Sequence, residues 1–129
     1  MIQMEFNESN KEELFNEILK IEFIPGDLDG KYKYEARIPR DIWNKWRPDW
    51  PLKRNDYRVI KFGRPGYEQY RDLIGSWSEF DHKDKKRRAN YRARHEPITL
   101  TRTWNGETVT SKSYLVPFTN EFFSYWLMW

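Results

Sequence analysis

Ile98-Thr99-Leu100-Thr101-Arg102-Thr103-Trp104-Asn105-Gly106-Glu107-Thr108-Val109-Thr110 sets two threonine-rich arms on either side of an Asn-Gly pair. That pair adopts the positive φ angles of a two-residue turn at low steric cost, so residues 98–104 and 108–116 are expected to be the paired strands of a hairpin. Upstream, residues 21–24 and 31–38 read as strands separated by the turn at 25–30. Tyr57, Val59, Ile60 and Phe62 mark a third strand, closed by Gly63-Arg64-Pro65-Gly66. The 21–38, 57–62 and 98–116 segments are expected to form one small antiparallel sheet.

Helical periodicity fills the spaces between these strands. Ser9 to Glu12 match a capping box, and Leu14, Phe15, Ile18 and Leu19 follow as one apolar stripe, predicting a helix over 9–20. Pro39 opens a short helix carrying Ile42, Trp43 and Trp46. Tyr67, Tyr70, Leu73 and Ile74 repeat at three and four residues, predicting another that ends near Gly75. A basic helix follows over 81–95, and an aromatic helix over 121–129 has Thr119 or Asn120 as its N-cap. The expected fold is α+β: a small antiparallel sheet with an Asn-Gly hairpin packed against three or four short helices, in a single domain over 1–129.

Composition narrows the function. Mean hydropathy is −1.01, yet the chain of 129 residues holds seven Trp, eight Tyr and eight Phe, enough large apolar side chains to offset chain entropy. With no cysteine, disulfides, thiolate nucleophiles and the usual zinc and iron-sulfur ligand sets are excluded. No apolar run has the length of a membrane span, and the acidic N-terminal stretch is unlike a signal or transit peptide. The expectation is a soluble protein made inside a cell, with no membrane partner.

The charge is local. Lys and Arg number 23 and Asp and Glu 20, and residues 81–95 hold seven of the former and two of the latter. That segment therefore carries +5, and the rest of the chain −2. On a helix, Asp84, Arg88, Tyr91 and His95 share one face, which is expected to dock through an Asp84–Arg88 pair, the Tyr91 ring and a hydrogen bond from His95. Lys83, Lys85, Lys86, Arg87, Arg88, Arg92 and Arg94 are the candidate contacts to an anion or to nucleic-acid phosphates; a solvated charged face is the alternative. No helix-turn-helix, zinc finger or RNP strand accompanies them, so base reading is not expected.

Other candidate chemistry is thin. His82 and His95, the only histidines, stand in no metal-ligand pattern and are expected to be structural. Gly63 and Gly66 are expected to let a strand reverse into a helix rather than to cradle phosphate, because the lysine and spacing of a P-loop are missing. In the final helix Phe122, Trp126 and Trp129 share one face with Phe123 adjacent, which suits core packing or an anchor on another subunit. No acid–base pair, nucleophile, metal or cofactor site stands out, and a non-enzymatic protein is expected.

Several of these residues resemble a family of short, uncharacterised proteins of large algal DNA viruses and some phages. The likeness rests on the turn Phe62-Gly63-Arg64-Pro65-Gly66-Tyr67 with Tyr70 and Asp72, on a His-x-Asp-x-x-Arg-Arg-x-x-Tyr-x-x-Arg-His segment from His82 to His95, and on the ending Phe122-Phe123-Ser124-Tyr125-Trp126-Leu127-Met128-Trp129. It implies a viral or phage product: a minor capsid or cement protein of the virion, present in the host cytoplasm before assembly, with other virion proteins as partners. Nucleic-acid binding through the basic helix in the infected cell, and a phage-encoded adaptor or inhibitor of a host protein, are the alternatives.

Overall fold

The computed structural model describes residues 5–129. Residues 1–4, part of the acidic stretch and of the domain expected over 1–129, lie outside the described residues. Helix α1 (Lys11–Ile18) leads into β1 (Glu22–Pro25) and β2 (Tyr34–Pro39); α2 (Arg40–Trp46) precedes β3 (Tyr57–Phe62). A 3₁₀ turn at Ser78–Phe80 comes before α3 (Lys85–His95). The hairpin β4 (Thr99–Trp104) and β5 (Glu107–Lys112) then leads through a second 3₁₀ turn, Ser113–Leu115, to α4 (Asn120–Met128). The fold is α+β, as the alternation of periods predicts.

Strands β1, β2 and β3 form an antiparallel sheet in that order, with Tyr34 opposite Phe62 and Ala36 opposite Ile60. Tyr34, Ala36 and Ile38 point inward and are buried, as the two-residue period requires. They meet α4, whose Phe122 and Phe123 are fully buried. Tyr34, Phe62, Phe123 and Phe118 stack in sequence with centroids 5.5, 5.1 and 5.9 Å apart, and such pairs add roughly 0.5–1.5 kcal/mol each beyond burial. Thr119 begins α4 as predicted, its Oγ1 accepting from the Phe122 amide at 3.0 Å.

Four expectations are corrected. The hairpin forms a separate two-stranded sheet instead of joining the other strands. Its inward face carries Arg102, which is buried and faces Asp49 at 3.7 Å, while Arg47 holds both Asp49 oxygens at 3.0 Å. The hairpin thus docks by its face through a buried ionic cluster, and among the described residues β3 is an edge strand. Next, residues 67–74 are not helical, because their amides serve distant carbonyls: Gln69 bonds Phe80, Arg71 bonds Met128 and Leu73 bonds Leu127. The start of α1 is set by Asn7, whose Oδ1 accepts from the Ser9 and Asn10 amides at 2.9 and 3.1 Å; an asparagine turn takes the place of the Ser9–Glu12 box. Finally, β5 stops at Lys112, short of 116. Among the described residues no helix is long and apolar enough to cross a membrane.

Candidate nucleic-acid interface

Lysine, arginine and alanine favour helix over 85–95, and Asp84 fixes where it begins. Its carboxylate accepts from the Lys86 and Arg87 amides at 2.9 and 3.3 Å, satisfying two of the donors that a helix start leaves open. The Asp84 amide donates to His82 Nδ1 at 2.9 Å, and Lys83 takes a φ of 56°. Asp81, His82 and Lys83 therefore precede the helix instead of forming its first turn.

The inner face docks on α4. Tyr91, 9% exposed, lies parallel to Trp129 at 4.2 Å and against His95 at 3.9 Å, and His82 packs against Trp129 at 5.2 Å. Both histidines thus end one row of four rings, His95 stacked on Tyr91 and His82 tilted by 54° against Trp129, a structural placement. His95 Nδ1 meets Glu121 Oε2 at 3.1 Å. The expected Asp84–Arg88 side-chain pair does not form, because Asp84 is spent on the cap. Arg88 Nε instead donates to the main-chain oxygen of Trp129 at 2.6 Å and its guanidinium lies 4.6 Å over the Tyr70 ring. Arg92 reaches the same oxygen at 3.1 Å and covers Tyr125 at 4.7 Å.

Arg88 and Arg92 are consequently half-buried, and they are removed from the set of anion contacts. The outward set is Lys83, Lys85, Lys86, Arg87 and Arg94, all exposed; of these Arg87 pairs with Glu68 at 3.3 Å. Ala89, Asn90 and Ala93 lie exposed between the two ends of α3, a low surface that large side chains do not obstruct. In α4, Phe122 and Phe123 belong to the core. Trp126 donates through Nε1 to Tyr114 O at 2.9 Å and Trp129 is held in the ring stack, so all four aromatics pack within the chain.

Beside α3 lies a cleft of about 520 Å³, walled by the 63–69 loop, α3 and α4. Lys33 lies at its base, 2% exposed. Its Nζ donates to Tyr67 O at 2.5 Å and to Gln69 Oε1, and faces the Trp77 and Phe80 rings at 6.0 and 5.6 Å. Burial lowers its pKa to about 8, against the opposing pull of Asp72 and Asp81. Gln69 Nε2 in turn donates to Trp77 O at 2.8 Å and Asp81 Oδ1 at 2.6 Å. Asp72 takes the Tyr34 hydroxyl and the amides of Ile74 and Trp77, at 2.9 and 2.8 Å for the amides.

This network holds residues 67–77, ahead of the 3₁₀ turn, without helix or strand, and no sequence pattern announces it. Lys33 reads as an ordinary outward charged position of the strand expected over 31–38, whereas β2 begins one residue later, at Tyr34. The glycine turn does carry a trace of it: Gly63 has a φ of 77°, and a Cβ there would stand 2.9 Å from the Lys33 Cβ. Gly63 is therefore required for reversal and for close approach to Lys33, and the strand reverses into an extended loop, not a helix. Among the described residues no group of three or more metal-ligating side chains is assembled. Compared with known proteins, the chain matches no family model, no curated protein and no solved structure.

Proposed function

We propose that the protein is a non-enzymatic nucleic-acid-binding protein that contacts phosphates through the outer face of α3 without reading base sequence. The observation that carries this reading is the placement of Lys83, Lys85, Lys86 and Arg87 at the start of α3, with no acidic residue in the first turn. The backbone amides there already make that end positive, so each cation is unfavourable to the helix by about 0.3–1 kcal/mol, set against the single capping carboxylate of Asp84. An anionic partner reverses the sign of that term and gains from counterion release. In the viral or phage setting that the family resemblance implies, the partner is the packaged genome and the protein a minor capsid or cement component lying against it. The aromatic helix gives no support to an assembly role, since its rings are used in the core.

Binding of a labelled duplex measured across salt concentrations tests the reading. Phosphate contacts by these four residues predict a slope of about −3.6 in log affinity against log salt. Replacing Lys83, Lys85, Lys86 and Arg87 together with Gln should remove most of that slope; unchanged binding by this variant would overturn the proposal. Mass spectrometry of purified particles tests the virion setting, and absence of the chain there would remove it.

A further inference from the structure

The cleft beside α3 holds an exposed ring that folding does not explain. Tyr67 is 60% exposed, yet its backbone is among the best anchored in the loop. Its carbonyl accepts from the buried Lys33 ammonium, its amide bonds Arg64 O at 3.4 Å, and the next residue but one, Gln69, is buried in the network with Trp77 and Asp81. A loop anchored through its backbone thus presents a large ring to solvent, where burial contributes little to stability.

The surroundings of that ring have a definite chemistry. Arg64 lies over one face of it at 5.3 Å, and Arg87 and Arg94 of α3 line the same cleft. The carboxylates in the lining are engaged, Glu68 with Arg87 and Glu121 with His95. Among the described residues no carboxylate pairs with Arg64 or Arg94. Guanidinium groups beside an accessible aromatic face suit a phosphate followed by a flat base, and the volume is that of a small-ligand site. A duplex keeps its base faces stacked inside; a single strand offers them.

We infer that the cleft between the 63–69 loop and α3 takes an unpaired nucleotide of single-stranded nucleic acid, with its base stacked on Tyr67 and its phosphates held by Arg64 and Arg94. The inference rests on the phosphate-binding reading of α3 and adds to it a preference for single strands. Duplex bound along the outer face would not enter the cleft.

Fluorescence anisotropy with labelled oligothymidylate and a labelled duplex of the same length, in one buffer, tests it. Tyr67→Ala should weaken oligothymidylate binding about 5- to 150-fold, the range for loss of one base–aromatic stack, and leave duplex binding within about twofold, as expected for a contact that duplex does not make. Tyr67→Phe should bind like the parent protein. Because the ring is exposed, the unfolding midpoint of Tyr67→Ala should not move, which separates lost stacking from lost fold. If Tyr67→Ala binds oligothymidylate as well as the parent, or loses both ligands equally, the inference is overturned. When that result accompanies loss of binding in the Lys83, Lys85, Lys86 and Arg87 variant, the phosphate reading survives alone. If the parent protein binds neither ligand at low salt, both fall.

Discussion

The two faces of α3 are built from the same residue types and do opposite work. Inward, Arg88 and Arg92 converge on one main-chain oxygen of Trp129 and cover the Tyr70 and Tyr125 rings, while Tyr91 and His95 stack beside them. Outward, Lys83, Lys85, Lys86, Arg87 and Arg94 are exposed, and only Arg87 has a carboxylate partner among the described residues. The difference is one of tether and shape. Arginine's planar fork and long apolar stem allow it to lie on rings and still reach a carbonyl, so the residues facing α4 become packing elements. Those facing water keep their charge for an external anion. A count of charge in the segment therefore overstates what a ligand meets: seven cations in sequence are five at the surface.

Removing the centre of the inner face should have the largest effect. Tyr91→Ala deletes a buried ring with stacking partners on both sides, and should lower stability by about 3 kcal/mol in urea unfolding. A loss below about 1 kcal/mol would mean that the ring stack does not hold α3 on α4. The boundary between the faces comes next: Asp84→Ala removes the cap and should cost about 1 kcal/mol, with Asp84→Asn recovering most of it. Equal losses in both variants would assign the effect to charge at the helix end, not to the hydrogen bonds.

On the outer face, the combined Gln variant of Lys83, Lys85, Lys86 and Arg87 should unfold within about 0.5 kcal/mol of the parent, or slightly later because repulsion at the positive helix end is relieved. A clear destabilisation would show that these cations serve the fold. The smallest effect is a pH slope from His82. Burial, aided by Arg87, lowers its pKa below the ordinary histidine value, so the unfolded chain takes up the proton first. Its contribution to stability is complete above the unfolded pKa, about 6.5, and is lost as pH falls through the lower, folded value. Between pH 7 and 5, His82→Gln should therefore lose less stability than the parent protein; parallel curves would show that His82 is as easily protonated in the fold as out of it.

Much of α3 was legible in the sequence because a helix face is a matter of spacing: Arg88, Tyr91 and His95 do share the docking face. By spacing Asp84 falls on that face too, but its first use is local. A carboxylate at a helix start lies within reach of open amides two and three residues on, and that prevails over a pairing with Arg88. Arg92 falls in the anion set by sequence because nothing in its neighbours distinguishes it from Arg94. Its position becomes clear only when Tyr125 and Trp129 are brought beside it, 37 residues away in the case of Trp129. The helix expected at 67–74 failed for a related reason. The three-and-four spacing of Tyr67, Tyr70, Leu73 and Ile74 is real, but the amides between them are claimed by Phe80, Leu127 and Met128.

The sequence by itself determined the elements that depend on short range: the Asn105-Gly106 hairpin, the alternation of β2, the Thr119 cap and the basic, helix-favouring run of α3 all follow from steric preference and period. The tertiary structure alone decided which charges are spent and which remain. The burial of Lys33 against Gln69 spans 36 positions and the capture of Arg88 by Trp129 spans 41. The partner of a charged group is chosen by whatever folding brings within about 3 Å of it, and no local pattern records that distance.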